Sequence, residues 1–240
     1  MAGAVYLVIP IFNEADSISA LFDALEPLLT EGVIHRVIVG DNGSTDGSQD
    51  LARSRGAVVV EEPRRGYGAA CLAAIRWIKE NATDPEPEPT AIAFVDADLS
   101  DDPTRLKQII DALDECDLVL GSRQRLAQKG ALNLPQRWGG RLATALIFLT
   151  TGKRYGDLGP MRAIRCEAYR RLGMCDQTWG WTVEMQMKAA MFGMRTMEID
   201  VPYYCRRKGR SKISGTLTGV FNAGIKIIWT IVKIRLTWRG

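Results

Sequence analysis

The sequence predicts an α/β fold: a Rossmann-like, mostly parallel sheet flanked by helices, with an amphipathic helix at its C-terminal end. Three observations predict it. Short apolar, β-branched runs alternate with segments whose apolar residues recur every three or four positions, as far as Gly121-Ser122-Arg123. These runs end in turns rich in Asp, Asn and Gly, where open sheets of this kind hold their ligands. The last stretch, Leu217 to Arg239, is apolar at helical spacing with a narrow polar stripe.

In chain order, Val5 to Phe12 is a first strand closed by Asn13-Glu14. Asp16 is placed to cap the next helix, whose Ile18, Leu21, Phe22, Leu25, Leu28 and Leu29 share a face. His35 to Gly40 is the second strand, and the turn from Asp41 to Ser48 leads into a helix ending near Arg55. At the carboxyl end of that strand, Asp41 can accept hydrogen bonds from a nucleobase or ribose. Ala57 to Val60 is strand three, after which Arg64-Arg65-Gly66-Tyr67-Gly68 opens a helix. Small residues there let backbone N–H groups and two arginines approach an anion. Asn81 to Thr90, with its Asp-Pro-Glu-Pro-Glu-Pro run, reads as a stiff exposed loop.

Ala91 to Val95 is a buried strand that ends in Asp96 and Asp98. One residue apart in extended chain, both carboxylates point to the same side and can face one hard divalent cation, Mg2+ or Mn2+. A D-x-D pair is common by chance, and its position after a buried strand gives it weight. Asp101 or Asp102 then caps a helix with Pro103 in its first turn and Leu106, Ile109, Ile110 and Leu113 as its buried stripe. Asp117 to Leu120 is a further strand.

The second half is less regular. Pro135 to Leu149 reads as a helix with Arg137 and Arg141 one turn apart. Asp157 to Arg162 is a turn into a short strand, and Trp179-Gly180-Trp181 opens a helix that carries Glu184. Those tryptophans suit either core packing or the wall of a sugar site. Met197 to Tyr204 is a last strand leading into the basic run Arg206 to Lys212, which serves as a solvated face or closes over a diphosphate. In the tail, Gly219, Asn222, Lys226, Thr230, Lys233 and Thr237 fall on one side. Lys226, Lys233 and Arg235 interrupt the apolar run before it reaches the roughly 18 to 20 residues of a spanning helix. The tail is therefore expected to lie on a membrane surface or to pack on the protein, with residues 1–214 as the catalytic unit and 215–240 as the appended helix.

At 240 residues and 46% hydrophobic the chain can bury a sizeable core, and a net charge of +3 makes no case for nucleic acid. Five scattered cysteines without a C-x-x-C pair fit a reducing compartment and argue against a zinc or disulfide framework. With no basic, then apolar leader segment, the expected location is cytoplasmic, peripheral on the membrane face. The single histidine, His35, leaves little room for a His-dependent triad.

Together these motifs resemble the family-2 inverting glycosyltransferases, in the branch that includes dolichol-phosphate mannose synthase and bacterial polyprenyl-phosphate glycosyltransferases. Ile9 to Glu14 is similar to the family's P-x-x-N-E opening, Asp41 to Gly47 to its D-D-G-S-T-D-G turn, and Asp96 to Leu99 to its D-A-D-L motif. Asp157 to Arg162 is similar to D-x-x-S-G-F-R, and Val201 to Lys212 to V-P-I…R…G-x-S-K. The resemblance covers nearly the whole chain and implies a glycosyltransferase-A fold.

It also implies roles. Pro10, Asn13, Glu14, Asp41 and Asp96, with Gly66 beside them, would bind the nucleotide of a nucleotide-diphosphate sugar. Asp96 and Asp98 would hold the metal, Arg206 and Lys212 would assist the departing diphosphate, and Arg123, Arg137, Arg141 and Ser211 would receive the phosphate of a polyprenyl or other lipid acceptor. Asn42 stands where the family commonly has a second Asp, and Gly159-Pro160-Met161 replaces S-G-F. An ionised lipid phosphate needs no general base; a hydroxyl acceptor would, and Glu184 is the candidate, with a helix-dipole partner as its structural alternative. Transfer to a glycolipid or soluble hydroxyl is the rival reading within enzymes. A nucleotidyltransferase lacks its glycine-rich loop with lysine here, and a noncatalytic membrane- or polyanion-binding module leaves the paired carboxylates unexplained. Self-association is left open.

Overall fold

Strict alternation in β1 (Ala4–Ile11) sets the architecture: Val5, Leu7, Ile9 and Ile11 enter one apolar core, while Tyr6 and Val8 enter another on the opposite side. Both faces of the strand are buried, as a central strand of a two-sided sheet requires. The computed structural model describes residues 3–82, 87–132, 134–205 and 217–238.

The N-terminal half follows the predicted alternation. After β1 come α1 (Ala15–Thr30), β2 (Arg36–Asp41), α2 (Ser48–Ser54), β3 (Val58–Glu61), α3 (Tyr67–Asn81) and β4 (Pro89–Phe94). A 3-10 turn capped by Asp102, whose carboxylate accepts from the Thr104 amide (3.1 Å), leads into α4 (Leu106–Asp111), a second 3-10 turn (Ala112–Asp114) and then β5 (Leu118–Ser122). Asp102 is therefore the cap, and Asp101 is buried instead. The second half supplies α5 (Leu134–Thr151), β6 (Arg162–Arg165), α6 (Cys166–Leu172), α7 (Trp181–Met191), β7 (Thr196–Asp200) and α8 (Leu217–Thr237).

The strands form one sheet in the order β3-β2-β1-β4-β6-β5-β7. Pairings are parallel except at β6, which runs antiparallel to both β4 and β5. The core with α1 and α4 lies on one face; α3, α6, α7 and the buried side of α8 cover the other.

One expectation fails at α1. Asp16 does not cap the helix; it sits in the first turn, and the orphan donors at the helix start are met from across the chain. Glu14 N–H donates to Ser48 Oγ (2.8 Å) and Ala15 N–H to Asp46 Oδ2 (2.9 Å), so the turn after β2 caps α1.

The tail is docked rather than lying free. α8 packs against α5 and α7, with Thr230, Ile231 and Ile234 buried, and Trp238 meets Phe192 edge-on at 4.6 Å between ring centroids. Its other side leaves Ile228, Trp229, Val232 and Leu236 exposed. No described helix is long and apolar enough to cross a membrane.

Close approach of α3 to β2 requires glycine at position 40. A Cβ there would lie 2.2 Å from the carbonyl oxygen of Ala70. Gly40→Ala is expected to cost about 1–3 kcal/mol of stability, the range for overpacking a fitted site, read as a lower urea midpoint at unchanged m-value. An unchanged midpoint would contradict this packing.

Candidate active site

The order β2-β1-β4 places a topological switch beside β1, and a cavity of about 650 Å3 opens at the carboxyl ends of these strands. Pro10, Glu14, Asn42, Gly66, Asp96 and Asp98 line it. Arg65, stacked 3.7 Å over the Phe12 ring, forms part of its wall, with Trp179 and Lys226 contributed by the second half of the chain.

Asp96 and Asp98 come together as the spacing predicts. Asp98 is 8% exposed, and its Oδ1 accepts from the Ser100 amide at 2.9 Å. Leu99, just after the pair, has φ +58°, a left-handed backbone that a branched side chain rarely adopts and that here turns the chain sharply after the carboxylates. Asp96 is hydrogen-bonded by the Tyr67 hydroxyl; burial, reinforced by the Asp96 charge, pushes that phenol well above its ordinary range and keeps it a donor. The pair suits a hard cation of the Mg2+ or Mn2+ kind, which takes one or two carboxylates and fills its remaining positions with water and substrate phosphate. Among the described residues no third carboxylate, His or Cys completes an all-protein cage, so the donor set fits a metal shared with a diphosphate.

Tyr67 owes its position to its neighbours. A Cβ on Gly66 would fall 2.1 Å from the Gln177 carbonyl oxygen, and one on Gly68 would fall 2.0 Å from that of Asp176. Backbone lies directly on backbone here, joined by Ala69 N–H to Gln177 O (2.9 Å) and Gly68 N–H to Thr178 O (3.2 Å). Gly66 and Gly68, expected to let backbone N–H groups approach an anion, are packed against the chain itself. The tyrosine between the glycines was missed, and only the D-x-D it serves could have pointed to it.

Two residues assigned to the nucleotide hold turns together. Asp41 is fully buried, and its carboxylate accepts from Gly43 N–H (2.8 Å), Ser44 N–H (3.1 Å) and Gln49 Nε2 (2.6 Å), closing an Asx-type turn. Asn13, with φ +54°, accepts from the Thr45 amide (2.8 Å) while its own amide donates to Ser44 Oγ (2.9 Å). Neither residue lines the cavity. Asn42, noted in the sequence only as a departure, does line it and acts as a clamp. Its Nδ2 donates to the carbonyls of Glu62 (3.2 Å) and Arg64 (2.9 Å), and its Oδ1 accepts from Gly66 N–H (3.0 Å). An amide can do both; a carboxylate cannot.

The acceptor-side assignments are largely redirected. Arg123 forms a two-pronged bond with Asp157, Nε to Oδ2 at 2.7 Å and Nη2 to Oδ1 at 3.0 Å, and lies over the Tyr203 ring, so its fork is already occupied. Burial raises the Asp157 carboxyl, but Arg123 and the backbone donors outweigh it and hold the group below the usual carboxylate range. Next to them, burial drives Asp101 well above that range, against Arg123 and with the charges of Asp96, Asp98 and Asp157. Arg137 and Arg141 are exposed on α5. Glu184 is 1% exposed and saturated: it accepts from the amides of Cys175 (3.0 Å) and Asp176 (2.7 Å) and pairs with Lys188 (2.7 Å), away from the carboxylate pair. Its oxygens are engaged by the chain itself. Trp181 is core, edge-on to Phe94, and Trp179 alone of the two lines the cavity. Arg206, Ser211 and Lys212 lie outside the described residues.

Behind the site sits Arg162, fully buried, donating to the carbonyls of Gly159 and Thr182 and to Gln186 Oε1. Burial lowers its guanidinium to about 10.

Residues 6–173 match the model of Glycosyl transferase family 2. The chain belongs to that family. Across 97% of its length this family 2 chain is 37% identical to an uncharacterized glycosyltransferase of Mycobacterium tuberculosis, covering all of that protein. It is 29% identical to the undecaprenyl-phosphate mannosyltransferase of Micrococcus luteus, over 97% of this chain and 98% of that one. Its fold superposes on glucosyl-3-phosphoglycerate synthase from Mycobacterium tuberculosis, solved with Mn2+, uridine-diphosphate and glucosyl-3-phosphoglycerate, at a TM-score of 0.70 and 19% identity over the whole of this chain and 82% of that one. The fold is thus of the glycosyltransferase-A type, and the chain is a nucleotide-sugar glycosyltransferase of family 2, similar to an undecaprenyl-phosphate mannosyltransferase.

Asn42→Asp restores the residue common in the family, yet here it would face two carbonyls with acceptor oxygens. The expected result is a loss of about 1–3 kcal/mol in denaturant unfolding, together with weaker nucleotide binding by calorimetry as the Arg65 wall loosens. Unaltered stability and binding would show that the clamp is dispensable.

Proposed function

We propose that this enzyme transfers a glycosyl group from a nucleoside-diphosphate sugar to a polyprenyl phosphate, with inversion at the anomeric carbon and with dependence on Mg2+ or Mn2+. The observation that carries the reading is the D-x-D pair on the floor of an open cavity at the sheet's switch point, in a chain matched end to end by an undecaprenyl-phosphate mannosyltransferase. Bound metal would supply Lewis-acid neutralisation of the leaving diphosphate. Asp96 and Asp98 would hold it, the first oriented by the Tyr67 hydroxyl. Arg65 and Lys226 add positive charge to the walls, Trp179 offers an aromatic face to the sugar, and Glu14 and Asn42 edge the nucleotide end. Arg206 and Lys212 are proposed to close over the diphosphate.

An acceptor phosphate oxygen forms the new bond to the anomeric carbon as the bond from that carbon to the diphosphate breaks, the diphosphate leaving with the electron pair. A phosphate monoester is ionised near neutral pH, with a second pKa of about 6, so no side chain has to remove a proton. The saturated Glu184 supports this reading over transfer to a hydroxyl, for which it was the candidate base. Residues 1–214 are read as the catalytic unit. Helix α8, residues 215–240 of the chain's end being its sequence region, is read as the membrane-facing appendage. Its exposed Ile228, Trp229, Val232 and Leu236 support contact with a lipid surface, as do Leu134, Trp138, Leu142 and Leu149 on neighbouring α5, flanked by Arg137 and Arg141. We place the protein on the cytoplasmic face of the membrane.

The test offers labelled nucleotide sugars with a short-chain polyprenyl phosphate and either metal. Expected is a product that partitions into organic solvent and releases sugar in mild acid. Asp98→Ala should lower turnover at least a hundredfold, the scale of losing a charge-stabilising group. Normal turnover by that variant would remove the metal assignment, and donor hydrolysis without lipid product would move the acceptor to a hydroxyl compound.

A further inference from the structure

The polar stripe of α8 runs against the usual rule for a surface helix. Lys226, Thr230, Lys233 and Thr237 recur at steps of four, three and four, so they share one side of the helix. A docked helix ordinarily turns such a stripe to water and its apolar side to the protein. Here all four residues line a second cavity of about 440 Å3, Thr230 buried, Lys226 half-buried and Lys233 and Thr237 exposed, while Ile228, Val232 and Leu236 point outward. A helix that directs ammonium and hydroxyl groups into a cavity is lining a polar compartment.

This compartment lies between α8, the segment 175–178 and α7, and adjoins the donor cavity: Thr178 and Lys226 belong to both walls. Its charges sort by partner. Glu184 is taken up by Lys188 and two amides, and Asp176 by Lys226 (2.9 Å) with Thr178 N–H (2.7 Å). Lys233 forms no ion pair among the described residues. It lies close enough to Cys175, as does Lys188, to act on that thiol electrostatically. The remaining wall is apolar: Ile234, Trp238 and Trp229, the last 59% exposed at the side where α8 meets solvent.

We infer that this second cavity is the acceptor compartment. It would take a phosphate monoester that carries an apolar chain, the phosphate near Lys226 and Lys233 and the chain along Trp229, Ile234 and Trp238. The inference rests on the proposed function, which supplies the need for an anionic acceptor beside the donor, and it replaces Arg123, whose fork Asp157 occupies, with lysines of the tail helix. Two sources share the phosphate chemistry, a lipid phosphate and a small phosphorylated acid. The tryptophans favour the lipid, because a compact polar acceptor gains little from them.

Trp229 and Trp238 give a readout that needs no turnover, since ligand entering the cavity changes their fluorescence. Farnesyl phosphate below its micelle concentration, 3-phosphoglycerate and inorganic phosphate are titrated into the full chain with the donor nucleotide present. Expected is saturable binding of farnesyl phosphate at least tenfold tighter than of the other two. Lys233→Glu should weaken it at least tenfold, whereas Arg235→Glu, the same charge change on the outward side, should leave it within about twofold. Circular dichroism and the thermal midpoint confirm folding, and Lys233→Gln serves if the glutamate variant is unstable. Equal loss in the two glutamate variants, unchanged binding in Lys233→Glu, or preference for 3-phosphoglycerate overturns the lipid-phosphate compartment. Nucleotide binding is followed separately by calorimetry. Absence of nucleotide binding in the wild-type chain overturns the proposed function itself, a result distinct from failure of the acceptor arm.

Discussion

Backbone laid on backbone, where the start of α3 meets residues 176–178, is the contact on which both cavities depend. Gly66 and Gly68 have no Cβ because carbonyl oxygens occupy that space at 2.1 and 2.0 Å. The contact fixes Tyr67, and through its hydroxyl the first carboxylate of the metal pair. On its other side the same segment carries Asp176, which holds Lys226 and so anchors α8. A change at either glycine would therefore disturb the donor floor and the helix that closes the second cavity together. The two halves of the chain meet here, and the site is complete only because they do.

Much of this was legible beforehand. Strand and helix periodicities locate β1 through β5 within a residue or two, because both faces of the central strands are apolar and the helices are one-sided. The antiparallel β6 has no local signature: its direction follows from the turn before it, which is packed by Gly159 against Gly121 O at 2.3 Å for a built Cβ. Asp96 and Asp98 line the cavity, as motif position suggests, whereas Asp41 and Asn13 spend side-chain oxygens on the turn beside it. An Asp-rich turn has two uses for its carboxylates, binding a ligand and binding its own amides, and only coordinates separate them. The α8 stripe was visible as periodicity; which way it faced was not, since orientation is decided by what the helix packs against.

Buried charge organises the end of β5 and the turn before β6. Asp157 and Arg123 form an ion pair with side-chain exposures of 1% and 15%, and removing one partner from such a pair costs about 3–5 kcal/mol because the other is stranded. That pair ties the end of β5 to the turn before β6. Arg162, fully buried, donates through its two Nη groups to carbonyl and amide oxygens instead, while its buried Nε has no partner among the described residues. The Arg123 charge also acts on Asp101, a carboxyl group crowded by the charges of Asp96, Asp98 and Asp157. Asp101 is the group that yields: enclosed beside two others, its carboxyl is driven toward the neutral form.

Transfer between two phosphate-bearing substrates has an electrostatic difficulty of its own. A nucleoside diphosphate and a phosphate monoester repel each other, and over a few ångströms in a partly desolvated cavity that repulsion opposes the approach the reaction needs. A cation at the boundary reduces it, and Lys226 is the residue that lines both cavities. Its present partner is Asp176, itself anchored by Thr178 and set close to Thr230. This carboxylate lines the second cavity too, so the ammonium group is kept at the junction as an ion pair, and an incoming phosphate has to compete with Asp176 for it. Lysine suits such a place better than arginine, since a compact charge with three rotatable donors can face two anions in different directions, whereas a planar fork commits to one. On this account the tail helix serves the chemistry directly, with its polar stripe turned to the substrates and its apolar side turned to the lipid surface that delivers one of them.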